Sequence, residues 1–358
     1  MGDAGQDVTT DTLIVGAGPI GLELAACLKR MGRDYRHVDA GMVGQTVTWY
    51  PKQTRFFSSP ERIAIAGVPL ATIGQEKASR EEYLAYLRGV VRQFDLPIDT
   101  YHKVTTIEPD GTGVRRFAVG TTRHGRPAMV VRCDHLVLAI GDMHHPRKLD
   151  IPGEGLPHVS HYFDEPHRYF GQRLTIVGGK NSAVEAALRC HRADAMVTIS
   201  YRGEWFDEEA IKYWLMPELR SLIEKGQVGF MPRTVPTAIA HESVTLGPAE
   251  GNGPTQTIGA DAVLLLTGYT QDRGLFEMAG VTLSGENDAP VVDFETMRTD
   301  AEGVYVIGTA VAGTQNKFRL FIENSHPHVT KACRAITGDD PPAGLVNDAA
   351  QRFDLIES

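Results

Sequence analysis

A short apolar segment, a glycine-rich turn and a helix-forming run occur twice in this chain. The first copy is Leu13-Ile14-Val15-Gly16-Ala17-Gly18-Pro19-Ile20-Gly21, and the second is Leu174-Thr175-Ile176-Val177-Gly178-Gly179-Lys180-Asn181-Ser182-Ala183. One glycine-rich turn alone is a weak signal, but a buried strand before it and an apolar helix after it supply the context of a dinucleotide fingerprint. In that motif the first glycine makes the tight turn, the second lets backbone approach a pyrophosphate and the third packs helix on sheet. The helix amides and the positive end of the dipole then face phosphate. Two copies imply two dinucleotides, and two dinucleotides in one chain imply electron transfer. The expected fold class is α/β, with two Rossmann-like dinucleotide-binding domains.

The remaining composition narrows the partners. The chain has 358 residues, 42% of them hydrophobic, and a net charge of −9 without a basic run, so it lacks the electrostatic footprint of a nucleic-acid binder or an anionic-membrane binder. The apolar stretch from Leu13 to Leu28 is broken by Pro19, Glu23 and glycines and is too short for a membrane span. Cys27, Cys133, Cys190 and Cys333 form no CxxC, which argues against a zinc site or a disulfide framework, leaves no metal expected and fits a reducing cytoplasm. Self-association into a homo-oligomer is left open.

Along the chain, Met1 to Thr10 reads as a polar, disordered lead-in. Residues 11–16 form a strand, Pro19 to Met31 a helix with proline in its first turn, and Tyr35 to Val38 a second strand. Gly44 to Pro60, aromatic and rich in turn formers, suits a long ordered loop over a ligand. Ser79 and Glu82 make a capping box for an amphipathic helix ending at Phe94. A period of two then marks a meander near residues 104–108, 116–120 and 128–132, followed by a buried strand over Leu136 to Ile140. The second nucleotide unit supplies a helix from about Asn181 to His191 and strands at Met196–Tyr201 and 262–266. A strand at 304–308 and a helix from Pro327 to Ile336, capped by Ser325 or His326, return to the first domain. Domains are expected at 1–145, 146–268 and 269–358, the middle one inserted.

Asp39 lies 18 residues beyond Gly21 at the end of the second strand, where a carboxylate accepts the hydroxyls of an adenosine ribose. In the second unit the corresponding strand ends in Ser200-Tyr201-Arg202-Gly203. A guanidinium there matches a 2′-phosphate that a carboxylate would repel, which points to NADPH, with Lys212 as a second phosphate partner.

Taken together these segments resemble the two-dinucleotide-binding-domain flavoproteins, and within them the YpdA-type bacillithiol-disulfide reductase family, which is similar to thioredoxin reductase without its CxxC. The runs that carry the resemblance are Phe56-Phe57-Ser58-Ser59, His161-Tyr162-Phe163, Val177-Gly178-Gly179-Lys180-Asn181-Ser182, Tyr201-Arg202-Gly203, Leu266-Thr267-Gly268-Tyr269 and Phe321-Ile322-Glu323-Asn324. The resemblance implies FAD on the outer two segments, held by Gly16, Gly18, Pro19, Gly21, Asp39, Gln45, Phe57, Ser58, Gly141 and Gly308. It implies NADPH on the inserted one, held by Gly178, Gly179, Lys180, Asn181, Ser182, Arg202 and Lys212. The implied activity is NADPH-dependent reduction of a small-molecule electron acceptor, a low-molecular-weight thiol disulfide, at the flavin. Two departures stand out: Ile20 replaces the cysteine common before the last fingerprint glycine, and Thr309 rather than aspartate follows Gly308.

Without a cysteine pair the acceptor must meet the flavin itself. Cys27 shares a helix face with Ile20 but sits two turns, roughly 10 Å, along it. His144, His145, His326 and His328 are the candidates for proton delivery, the last two because they begin a helix whose amino end would face a flavin. A flavin monooxygenase is an alternative reading, since His161 and Tyr162 before the second fingerprint partly match the FxGxxxHxxxY/F signature. A flavin-bound redox sensor or electron carrier for a protein partner is another.

Overall fold

The computed structural model describes residues 6–316 and 319–349. They divide into two compact units, one formed by residues 6–48, 53–145 and 269–349, the other by Trp49–Lys52 and Pro146–Gly268.

The centre of the first unit is a six-stranded sheet in the order Val292–Asp293, Arg298–Thr299, Val304–Val306, His135–Leu138, Thr12–Val15, Tyr35–Val38. Its last four strands are parallel. Thr12–Val15 is buried at every residue, as an apolar run in the middle of a parallel sheet must be when both faces are covered. The helix Pro19–Arg30 follows it and packs against the last helix, Ile322–Thr337. The capping box forms as the spacing requires: Glu82 N–H donates to Ser79 Oγ at 3.2 Å, Ser79 N–H donates to Glu82 Oε2 at 2.7 Å, and the helix runs Arg80–Phe94.

Three expectations are corrected in this unit. Gln6–Thr9 is a strand, paired in parallel with Met129 to Arg132 at the edge of the meander, and Arg132 binds Asp7 at 3.1 Å. Such an edge strand gains its stability from backbone hydrogen bonds, so its polar composition reads like that of a tail. The aromatic segment after Gly44 contains a 3-10 turn, Gln45–Trp49, and Pro60 opens a one-turn helix. The last helix begins at Ile322, five residues before the expected start at Pro327. Phe321 N–H donates to Asn324 Oδ1 at 2.8 Å, which starts the helix early. Proline then sits in the second turn and forfeits one intrahelical bond, and the buried face on either side of it outweighs that loss.

The second unit is built on a five-stranded parallel sheet in the order Gly229–Pro232, Met196–Tyr201, Arg173–Val177, Ala262–Leu265, Val159–Ser160. The helix Asn181–Arg192 buries Ala183, Val184, Ala187 and Leu188 against Leu174, Ile176, Val197 and Ile199. An antiparallel three-stranded sheet, Thr234–Ala240, Ser243–Pro248 and Gln256–Gly259, adds a small core around Ile239, Val244 and Leu246. Among the described residues no helix is long and apolar enough to cross a membrane. No group of three metal-ligating side chains occurs among them either.

Candidate dinucleotide sites

The three glycines of the first turn have three different steric reasons. Gly16 has φ +109°, and a Cβ there would stand 2.4 Å from the Ala139 carbonyl oxygen. A Cβ at Gly21 would stand 2.1 Å from Gly16 O, so the helix seats directly on the turn. Gly18 meets nothing within 4 Å, which leaves an open face beside a helix start that carries no side-chain cap. The pyrophosphate of a dinucleotide fits there: a cradle next to unclaimed first-turn amides. Asp39 tightens the cradle, with Oδ2 accepting from Ala17 N–H at 2.6 Å and Oδ1 from Gly41 N–H at 2.7 Å. Burial raises its pKa, while these two amides pull the other way. Each carboxylate oxygen keeps a further lone pair for a ribose hydroxyl. Beside it, Gln45 Oε1 accepts from Met42 N–H at 3.3 Å.

Two neighbouring strands of the same sheet lead into left-handed glycines, Gly141 at φ +77° and Gly308 at φ +74°. A Cβ on Gly308 would lie 3.4 Å from the Ile20 side chain, which brings this segment over the fingerprint helix. Around these glycines the structure gathers residues that local sequence gives no sign of. Gln271 Nε2 donates to both Gly141 O and Ala310 O at 2.9 Å, while its buried Oε1 has no partner among the described residues. Asp142, also buried, accepts from Gln315 Nε2 at 2.9 Å. Burial pushes its carboxyl up, against the pull of hydrogen bonds from Gln315 and Thr309. Ser58 is buried, and Phe57 carries the Lys77 ammonium 5.2 Å above its ring.

The histidines are placed differently from expectation. His326 and His328 lie inside the last helix, not at its start. Nδ1 of His326 donates to Glu23 Oε2 at 2.7 Å and its Nε2 faces Arg62 O at 3.0 Å, so neither ring nitrogen is available for proton delivery. Burial alone would lower the His326 pKa, but Glu23 reverses the balance and raises it. His328 Nδ1 accepts from Gly308 N–H at 3.2 Å, and burial pulls its pKa to about 4. His144 is likewise fixed as a neutral ring, its Nδ1 accepting from Asp272 N–H at 2.8 Å and its Nε2 donating to Ile140 O at 3.0 Å. His145 is exposed, 3.5 Å from Asp272. All four cysteines are buried free thiols. Cys27 and Cys333, far apart in sequence, lie on two helices that pack together, and the interaction with Cys333 together with burial pushes the Cys27 thiol far up. Such thiols are poor nucleophiles.

In the second unit, a Cβ on Gly178 (φ +144°) would stand 2.5 Å from Leu266 O. A Cβ on Gly179 would enter the ring of Tyr201, which itself stacks on Phe206 at 5.4 Å. The helix after them starts at Asn181, with Lys180 at its N-cap making no side-chain cap bond, and Lys180, Ser182 and Arg202 are exposed. The Asn181 side chain is engaged in building the loop, since Oδ1 accepts from Lys212 N–H at 2.7 Å and Nδ2 donates to Ala210 O at 3.2 Å. Lys212 is not a solvated helical lysine; it is buried in a turn with its ammonium 3.1 Å from Glu185. A phosphate ligand at Lys212 would have to displace Glu185 from that pair.

Two fingerprinted sheets, one parallel throughout and one parallel over four of its six strands, define a dinucleotide-dependent oxidoreductase. The description pyridine nucleotide-disulphide oxidoreductase matches residues 13–308, and the chain belongs to that family. Bacilliredoxin reductase Bdr of Bacillus subtilis is 33% identical over 316 residues, covering 88% of this chain and 94% of that protein. The bacillithiol disulfide reductase Bdr (YpdA) of Staphylococcus aureus superposes with a TM-score of 0.83 at 32% identity, over 93% of this chain and 99% of that one. The enzyme of the same name from Bacillus cereus gives 0.85 at 31%, over 92% and 99%.

Proposed function

We propose that this chain is an NADPH-dependent flavoprotein that reduces a low-molecular-weight thiol disulfide, with FAD on the first unit and NADPH on the second. The observation that carries the reading is the pair of glycine cradles, each shaped by contacts that a Cβ would destroy, at Gly16–Gly21 and Gly178–Gly179. FAD, when bound, accepts the two electrons of NADPH as a hydride and hands them on. The net reaction takes NADPH, a proton and a disulfide to NADP⁺ and two thiols.

The chain's own residues position these partners. Asp39 orients the adenosine ribose, the first-turn amides after Gly18 face the pyrophosphate, and Gly308, anchored on His328, lets the backbone pass close above Ile20. Arg202 reads the 2′-phosphate of NADPH. With Ile20 in the place of a thiol and the four cysteines buried, no cysteine of this chain would stand between a bound flavin and the disulfide. Free buried thiols suit a reducing cytoplasm.

Anaerobic reduction of the bound flavin by NADPH, then reoxidation by bacillithiol disulfide, other disulfides, a quinone, ferredoxin or oxygen, tests the reading. A disulfide should reoxidise the enzyme, and a variant lacking all four cysteines should keep most of the rate. Reoxidation by oxygen or a quinone alone would refute the substrate class. A single cysteine substitution that abolishes disulfide turnover while NADPH still bleaches the flavin would refute the direct route.

A further inference from the structure

With Lys212 committed to Glu185, the 2′-phosphate reading rests on Arg202 alone, which is thin for a dianion. The neighbouring strand supplies a second cation. Gly229–Pro232 runs parallel to Met196–Tyr201, in a register that pairs Tyr201 with Pro232, and the next residue on each strand is an arginine, Arg202 and Arg233. Arg233 N–H donates to Gly203 O at 2.9 Å, which ties the two strand ends together just beyond the sheet.

Arg233 is also conformationally unusual. Its φ is +53°, in the left-handed region that a long side chain seldom occupies. Backbone bonds hold it there from both sides, since Ala249 N–H donates to Arg233 O at 2.8 Å. Strain of this kind tends to persist where it aims a side chain. Here it accompanies a guanidinium that is 69% exposed and whose one ion pair among the described residues is with Glu204, at 2.7 Å and 77% exposed. A pair so open to water is weak and easily exchanged. A phosphate dianion offers more charge and more acceptors than one carboxylate, in a geometry a guanidinium matches well.

We propose that Arg233 joins Arg202 in recognising the 2′-phosphate of NADPH, and that Glu204 holds Arg233 until the nucleotide arrives and competes for it. The inference rests on the assignment of NADPH to this unit.

The test is equilibrium binding of adenosine 2′,5′-bisphosphate and of adenosine 5′-monophosphate to the flavin-loaded protein, by calorimetry and without turnover. Arg233→Asn removes the charge with a residue that tolerates a left-handed backbone, so misfolding is avoided. It should weaken the bisphosphate about three- to tenfold and leave the monophosphate unchanged. Glu204→Gln should tighten the bisphosphate severalfold, and the double variant should lose that gain. A purely structural Arg233 would not produce that gain or its loss. If Arg202→Ala weakens the bisphosphate while Arg233→Asn and Glu204→Gln do not change it, Arg233 is a bystander and the NADPH assignment stands. If the parent binds both nucleotides alike and Arg202→Ala changes neither, the NADPH assignment itself fails.

Discussion

Glu23 is fully buried on the first helix and its carboxylate meets three donors: Ala66 N–H at 3.1 Å, Asn347 N–H at 3.0 Å and His326 Nδ1 at 2.7 Å. Glu23→Leu would leave two backbone amides and the Nδ1–H of His326 without an acceptor. Breaking a buried ion pair from one side costs about 3–5 kcal/mol. At about 2–3 °C per kcal/mol for a unit of this size, the melting temperature should fall by about 6–15 °C. Glu23→Gln is the informative companion. Its amide oxygen can face the two backbone N–H groups while its NH₂ donates to Nδ1 of a neutral His326, whose Nε2–H still reaches Arg62 O. Every partner is then satisfied, and the cost should be about 1–2 kcal/mol. The two variants should also part in their pH dependence. The His326 pKa is raised in the folded state, so its contribution to stability is full below the unfolded value near 6.5 and is lost as pH rises through the folded value. The parent should therefore lose stability above neutral pH relative to Glu23→Gln, measured by urea unfolding from pH 6 to 9. Parallel curves for the two proteins, or a Glu23→Leu protein as stable as the parent, would refute the charged pair.

Gly21→Ala should fail to yield a folded flavoprotein, because its Cβ would stand 2.1 Å from Gly16 O, whereas Gly18→Ala, with open space and an ordinary φ of −76°, should fold within a few degrees of the parent and retain FAD less firmly. Thermal shift and flavin content of the two variants check this, and equal flavin retention by Gly18→Ala and the parent would count against the cradle. On the acid side, burial pulls both His328 and His37, a fully buried ring on Tyr35–Val38 whose Nε2 lies 2.9 Å from Gly16 O, down to about 4, so stability should drop as pH falls from about 6.5 toward 4, by about 3 kcal/mol for each ring. His328→Gln, which can still accept from Gly308, should flatten about half of that slope in urea titrations.

What the sequence discloses is what local rules govern. The capping box at Ser79 and Glu82 and the strand Met196–Tyr201 fall where propensity and period place them, because a few contiguous residues carry the whole signal. The fingerprints are legible for the same reason. Lys212 shows the limit: its fate is decided by Glu185, which lies 27 residues away on another element, and no local pattern forecasts that pairing. Asp142 and Gln315, 173 residues apart, are invisible until the sheet brings the ends of two strands together. The last helix misleads because the rule that proline opens helices is a preference, and Asn324 supplies a stronger start upstream. Cys27 and Cys333 look unrelated along the chain and meet only because their helices pack.

The arrangement of the six-stranded sheet has a consequence for synthesis. Thr12–Val15 and His135–Leu138 pair early in the chain, yet the far edge of His135–Leu138 is covered only by Val304–Val306, which emerges from the ribosome some 170 residues later. The parallel sheet of the second unit draws its strands from one uninterrupted stretch between Val159 and Leu265. During translation the later-encoded unit is therefore the first able to complete its sheet, while the earlier one waits with an open, apolar strand edge. That interval, before Val304–Val306 closes the sheet and Asn347 settles on Glu23, is when the nascent chain is most exposed to misassociation and has most use for a chaperone.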